Sequence, residues 1–470
     1  METGTEAHVR LLSPEFLRFR MVFLSANGEH LMTPRIAATC VLPTIDLRRD
    51  ERLGSQIQVH CATYWSIRCE VIDILGSSDD VGLIVIRLPA LGTKNASSPF
   101  HRRRIEDLEP SQISQQEFDL LLRLQMTGET GRGPFSRLTW LDDARSWLAD
   151  VLHVAPNDLR LSQHHVGPCR ALLNVATSSE RQYWLKGVRD CESGLMHLLE
   201  QEATHYVPRF IAYHSQLSLY LTDHAGAPLS AKQAITDRDV WNVSRHFARL
   251  QRQTLGILPK LRELVPGLPS TGTVVRSLEE ALPFANEGLA FSLIAASPVL
   301  SLPRLQELVF SLKQVFVRLA EIQPPEVLLH GDLHTGNILT QRRSVVFVDW
   351  EEARLGTLFE NVEYLSLLKP NERSLEPVMS AYSSVWGARL SNGAIKEAIK
   401  LSRPLTIATR LLRLLQRRDE VSIHTSSLQG PSLRIMIRQL EHSLQAAIKD
   451  SASLGSALLV PEPITPVTRM

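Results

Sequence analysis

The chain has 470 residues, with 51 Lys and Arg against 50 Asp and Glu, and a formal net charge of +1. That length suffices for two or three domains with sizeable cores, and the charge balance gives no reason to expect an acidic polymer as partner. Five cysteines, Cys40, Cys61, Cys69, Cys169 and Cys191, are odd in number and in no ligand-like spacing, so they read as reduced thiols of a cytoplasmic protein.

Met1 to Leu12 lacks the apolar core of a signal peptide. Phe16 to Leu24 and His30 to Met32 flank Ala26-Asn27-Gly28-Glu29, a good hairpin turn. Asp50 to Trp65 reads as a helix, and Cys69 to Leu75 and Val81 to Leu88 as strands, which makes residues 1–105 a separate small α+β domain. Its layout is loosely similar to a Nudix fold, but the acidic R-E-x-x-E-E metal box is absent. No hydrolase chemistry is expected there, and docking of another protein or a ligand is the default role. Arg102 to Arg104 and Arg417-Arg418 have no aromatic residues interleaved and read as solvated faces, with no nucleic acid implied.

Residues 106–157 read as a helical connector, with helices from Ser111 to Met126 and from Trp140 to Val154. Between them Gly128-Glu129-Thr130-Gly131-Arg132-Gly133-Pro134 reads as a flexible linker, because neither a strand before it nor a helix directly after it is evident.

Residues 158–225 carry strands at Leu159 to Leu161, Ala171 to Ala176, Gln182 to Val188 and Leu217 to Thr222. The third places Lys186 in an otherwise apolar strand, where a charge is costly unless paired. A helix follows from near Cys191 with Leu195, Met196, Leu199 and Ala203 on its inward face, and Glu192 is in line with that face. Lys186 and Glu192 are therefore the expected ion pair. No G-x-G-x-x-G precedes Lys186, and no G-x-x-x-x-G-K-[ST] occurs anywhere.

From residue 226 to 450 the chain is mostly helical, including Arg238 to Gln253, Arg304 to Ile322, Leu375 to Tyr382, Ile395 to Leu415 and Leu433 to Lys449. The uncharged run Gly288 to Pro303 is too short to span a bilayer comfortably and contains Pro298, so it reads as a buried helix pair rather than a membrane segment. Residues 451–470, with three prolines, read as a disordered tail.

Within that helical region lies His330-Gly331-Asp332-Leu333-His334-Thr335-Gly336-Asn337-Ile338-Leu339, followed by Val345 to Trp350. Val327 to Leu329 reads as a short buried strand delivering His330 to Asp332 onto a loop. Two further strands flank the polar turn from Gln341 to Ser344, with their midpoint at Arg343, which sets Asn337 opposite Asp349. A hard divalent cation such as Mg²⁺ takes one or two protein oxygens and completes its shell with phosphates and water, which suits Asn337 and Asp349. Asp332, left free of metal, is the candidate to accept the proton of an attacking hydroxyl. His330 is better placed to brace the loop. His334 either donates to a transferring phosphoryl group or stabilises the loop.

The pattern H-x-D-x-x-x-x-N followed by a metal-binding Asp resembles the catalytic loop of the protein-kinase-like superfamily, and the wording HGDLHTGNIL and VDWEEA is similar to its aminoglycoside phosphotransferase and choline kinase branch. The resemblance implies a two-lobed fold with a small, mainly β N-lobe and a helical C-lobe, preceded here by the separate N-terminal domain. It implies ATP and Mg²⁺ as cofactors, Lys186 held by Glu192 toward the α- and β-phosphates, and a hinge at Asp223-His224-Ala225-Gly226. Trp350-Glu351 stand where protein kinases carry Phe and Gly, and no A-P-E follows, so a small hydroxylated molecule is the expected acceptor. A nucleotide-binding regulator without turnover is the alternative. Glu351, Glu352, Glu360 and Glu363 either line a pocket for a cationic acceptor or favour the dipole of a helix they begin.

Overall fold

Strand β1 (Phe16–Leu24) organises the first sheet. Its alternation sends Phe19, Met21 and Phe23 into one core and Val22 and Leu24 into another, so both faces are covered. That is why it reads as a nearly continuous apolar run. Then come β2 (Leu31–Pro34), β3 (Thr44–Arg48), α1 (Leu53–Trp65), β4 (Glu70–Leu75), β5 (Val81–Arg87), β6 (Phe100–Arg103) and α2 (Gln115–Thr127). The sheet order is β4-β5-β1-β2-β6 with β3 also on β1, and β5 runs parallel to β1. Helix α1 packs Ile57 and Cys61 on one face, and α2 packs Leu121 and Leu124 on the other. Ser114 starts α2 with a capping box to Glu117, worth about 1 kcal/mol, and Arg20 of β1 holds the same Glu117 at 2.7 Å. The computed structural model describes residues 16–34, 42–48, 51–75, 81–89, 100–109, 111–188, 192–264, 271–290, 300–341, 344–369, 372–420 and 426–452.

The second sheet follows α3 (Trp140–Leu152) and comprises β7 (Arg160–Val166), β8 (Ala171–Ala176), β9 (Gln182–Gly187), β10 (Phe210–His214) and β11 (Leu219–Asp223), with α4 (Glu192–Ala203) between β9 and β10. It is antiparallel, in the order β10-β11-β9-β8-β7. Helix α3 lays Trp140, Leu141, Ala144 and Leu148 against Leu173, Val175, Leu185 and Leu221. The class is mixed α+β, and the N-terminal strands form a sheet of their own, as read from the sequence.

Gln163 of β7 stitches the two sheets together. It is 1% exposed, accepts from the Val71 amide at 2.8 Å through Oε1 and donates to the Val71 carbonyl at 2.9 Å through Nε2. Its own amide donates to Gln58 Oε1 of α1 at 2.9 Å. Both sheets lie in one compact unit, Met1–Gly226.

The glycine-rich stretch expected to be a flexible linker is instead packed. Thr130 Oγ1 donates to Ser136 Oγ at 2.8 Å, Arg132 pairs with the buried Asp73 at 3.0 Å, and the Phe135 amide donates to the Pro168 carbonyl at 3.0 Å. Its glycines serve close approach and turning: Gly131 has φ +74°, and a side chain at Gly133 would run into the Pro168 carbonyl. Composition alone does not separate that use from flexibility.

The second unit, Ala227–Met470, contains β12 (Ala227–Pro228), α5 (Asp237–Thr254), α6 (Leu258–Leu264), α7 (Thr271–Ala290), α8 (Leu302–Glu321), β13 (Glu326–Leu329), β14 (Ile338–Gln341), β15 (Ser344–Phe347), β16 (Arg354–Thr357), α9 (Val362–Ser366), α10 (Leu375–Trp386), α11 (Asn392–Glu420) and α12 (Ser426–Ala452). Helix α5 buries Val240, Val243, Phe247 and Leu250 at helical spacing, and its buried Gln251 accepts from Tyr382 Oη of α10 at 3.0 Å. Two small sheets, β12-β14-β15 and β13-β16, sit within this helical unit. Residues 291–299 of the expected helix pair and 453–470 of the expected tail lie outside the described residues. Among the described residues no helix is long and apolar enough to cross a membrane.

Candidate functional site

In β9 the strand alternation turns Tyr183 and Leu185 into the α3 core and Trp184 and Lys186 to the opposite face. Lys186 Nζ lies 2.9 Å from Glu192 Oε1 and 2.7 Å from Oε2, so the pair expected from helical arithmetic is formed. Glu192 is 2% exposed, and Tyr220, directly across from Lys186 on β11, donates to Glu192 Oε1 at 3.0 Å. A buried pair of this kind is tolerable because additional hydrogen bonds satisfy the carboxylate. Sequence reading did not single out Tyr220. The signal was its strand position, because pairing β11 with β9 sets it opposite the lysine.

Trp184 was also passed over. Its Nε1 donates to His224 Nδ1 at 3.1 Å, with the two rings 24° from parallel, and His164 meets it edge-on at 4.9 Å. The Lys186 face thus continues through an indole toward the segment that leaves β11, where the hinge is expected.

In the second unit, β13 delivers His330 and pairs with β16, so that Leu329 stands opposite Arg354. The adjacent hairpin pairs Ile338 with Phe347 and Gln341 with Ser344. This register differs by one residue from the expected one. It centres between residues 342 and 343, so Asn337 faces Val348, whose amide donates to the Asn337 carbonyl at 3.0 Å. Asp349 lies one residue further and has φ +67°, a left-handed conformation that Asp tolerates better than most residues.

His330 is fully buried, and its Nε2 lies 2.9 Å from the Val348 carbonyl. A carbonyl only accepts, so Nε2 carries the proton and Nδ1 accepts from the Asp332 amide at 3.4 Å. Burial holds its pKa down at about 4, against an upward pull from the Val348 bond and from Asp349 and Asp332. The histidine is a neutral brace across the two loops, as expected.

Asn337 Nδ2 donates to the Asp332 carbonyl at 2.9 Å, which leaves its Oδ1 to meet a ligand. The Asp332 side chain is 45% exposed, with His334 Nε2 at 3.7 Å from its Oδ2. His334 Nδ1 accepts from the Gly336 amide at 3.0 Å, the loop-stabilising contact of its two readings. Asn337 and Asp349 offer hard oxygen donors at the end of one hairpin, a set chemically suited to Mg²⁺.

Three of the four glutamates after Asp349 are held by arginines. Glu352 pairs with Arg413, Glu360 with the buried Arg354, and Glu363 with Arg373 at 2.7 Å and Arg403 at 3.2 Å. Only Glu363 lies in the first turn of a helix, because β16 and its flanking turns take up residues 351–360. The helix-dipole reading is thereby confined to Glu363, and of the four charges the cationic-pocket reading invokes, those of Glu352, Glu360 and Glu363 are met by arginines.

Residues 175–365 match the model of the phosphotransferase enzyme family. That segment is similar to phosphotransferases of this family. It carries Lys186, Glu192, Asp332, His334, Asn337 and Asp349, and the resemblance to the aminoglycoside phosphotransferase and choline kinase branch holds for it. Among solved structures, the chain is similar to an ethanolamine kinase of Plasmodium vivax at 14% identity, covering 64% of this chain and 88% of that one, with a TM-score of 0.46. A choline kinase from Cryptosporidium parvum matches at 12% identity, covering 66% and 97%, with a TM-score of 0.49. A macrolide 2′-phosphotransferase from Brachybacterium faecium matches at 15% identity, covering 68% and 99%, with a TM-score of 0.41. None of the curated proteins matches the chain.

Proposed function

We propose that this chain is an ATP- and Mg²⁺-dependent phosphotransferase that moves the γ-phosphoryl group to a hydroxyl of a small molecule. The observation that carries the reading is the state of Asp332: its backbone is bonded on both sides while its carboxylate is nearly half exposed, the arrangement a base needs to meet an incoming hydroxyl. The phosphotransferase segment, the Lys186–Glu192 pair and the oxygen donors Asn337 and Asp349 support it.

In this reading Lys186, held by Glu192, grips phosphate oxygens, and Asn337 and Asp349 hold the metal. Bound Mg²⁺ neutralises charge on the transferring group. Asp332 accepts the proton of the acceptor hydroxyl and orients its oxygen in line with the γ-phosphorus. His330, neutral and fixed, keeps the loop carrying Asp332 on the strand end that leads to Asp349. The protein acts in the cytoplasm. With three glutamates neutralised by arginines, the reading does not rest on a polycationic acceptor.

The test is ATP consumption with Mg²⁺ across a panel of amino sugars, choline-like alcohols and neutral sugars, comparing the native chain with Asp332→Asn. Turnover with at least one acceptor, lost in the variant, is the expected result. Binding of MgATP with no Asp332-dependent turnover across the panel would replace the enzyme with a nucleotide-binding regulator.

A further inference from the structure

Arg413, on α11, grips two loops at once. Its Nη1 donates to the Gly331 carbonyl at 2.5 Å and pairs with the Glu352 carboxylate, while Nη2 donates to the Glu352 carbonyl at 2.9 Å. One planar guanidinium therefore spans the loop that carries Asp332 and the turn that follows Asp349. Gly331 makes this possible: its φ of +85° presents the carbonyl, and any side chain there would run into the Glu352 carbonyl and the guanidinium itself.

The contact acts on the peptide group that immediately precedes Asp332. Arg413 fixes that peptide's oxygen and Asn337 fixes the oxygen of the next one, so the direction of the Asp332 side chain is set from both sides. Arg413 is not alone on its helix. Arg403 donates to Glu363, Thr406 Oγ1 donates to the Glu360 carbonyl at 2.5 Å, and Arg410 lies 5.6 Å over the Tyr364 ring. About three turns of α11 thus hold Gly331, Glu352, Glu360, Glu363 and Tyr364 along one helix.

We infer that Arg413 is a positioning residue for phosphoryl transfer, fixing Asp332 relative to the turn at Asp349. The inference rests on the proposed function. The chemistry requires arginine, because a lysine offers a single point charge and cannot hold two carbonyls and a carboxylate in one plane.

The experiment compares native chain, Asp332→Asn, Arg413→Ala and Arg413→Lys as full-length proteins, using MgATP and the acceptor panel above, with MgADP binding and the melting midpoint measured in parallel. Misplacement of a catalytic group by about 1 Å costs on the order of 100-fold in rate, so Arg413→Ala is expected to lose about that factor in kcat. The KM for MgATP and the affinity for MgADP stay within about 3-fold, since the nucleotide-gripping lysine is untouched. Millimolar guanidinium ion restores part of the turnover of Arg413→Ala, and Arg413→Lys stays well below native. Unchanged kcat in Arg413→Ala overturns the inference while leaving the function intact. So does a fall in kcat that tracks loss of MgADP binding and of folded protein with no guanidinium rescue. Turnover that survives Asp332→Asn, or is absent with every acceptor, overturns the function itself and the inference with it.

Discussion

The ring of Phe135 lies against the α-carbon of Gly187, the residue after Lys186, so closely that a β-carbon at Gly187 would overlap the ring. Phe135 is 2% exposed and belongs to the core under β8, β9 and α3. Gly187→Ala is expected to cost about 1 to 3 kcal/mol through overpacking, read as a shift in the urea midpoint. Nucleotide affinity falls with it, because β9 carries the lysine. Combining it with Phe135→Leu recovers part of the loss, and strictly additive effects of the two changes would show that the contact is not what matters.

Replacing Gln163 by Leu removes both bonds to Val71 and leaves that residue's amide and carbonyl buried without them. The expected cost is about 2 to 4 kcal/mol. Hydrogen exchange is the sharper measurement. Amides of β4 and β7 lose protection together if Gln163 couples the sheets, and protection that falls in β7 alone contradicts the coupling.

Lys186→Met strips the ammonium from a carboxylate that is 2% exposed, and a broken buried pair of this type costs about 3 kcal/mol. The double variant Lys186→Met with Glu192→Gln is less destabilised than the sum of the singles. Calorimetry should also show MgADP binding weakened by Lys186→Met. Undiminished binding would remove the lysine from the proposed phosphate grip.

The buried His330 makes stability depend on pH in a defined direction. Its folded pKa of about 4 lies below the ordinary 6.5, so between those values the unfolded chain binds the proton and the folded chain does not. The contribution is fully present above pH 6.5 and is lost as pH falls toward 4, amounting to about 3 kcal/mol. Urea midpoints at pH 7, 5.5 and 4 should therefore drop more steeply for the native chain than for His330→Gln. Parallel curves would rule this out.

Much of the candidate site's local geometry was legible in the sequence, because the signals were local. The residues from His330 to Asp349 are close in the chain, and Lys186 and Glu192 are six apart, so strand alternation and helical spacing were enough to relate them. The hairpin register was missed by one residue because a two-residue and a three-residue turn fit the same polar stretch. The partners that came from far away were not legible. Tyr220 reaches Glu192 only through the pairing of β11 with β9, and Arg413 reaches Gly331 across 82 residues. Buried glycine contacts such as Gly133 on Pro168 look like flexibility in a composition count.

The reach of α11 has a consequence for how the protein is made. The phosphotransferase match ends at residue 365, yet Arg403, Thr406, Arg410 and Arg413 all lie beyond it. On the ribosome, the loop bearing Asp332 emerges long before the helix that fixes it, and domains fold as their parts become available during synthesis. A nascent chain stalled just past the family boundary would expose the loop without its template. A fragment cut at that boundary would carry Asp332, Asn337 and Asp349 without Arg413, and its Gly331–Asp332 loop is expected to lose that anchor, so shuffling this segment between proteins calls for moving α11 with it.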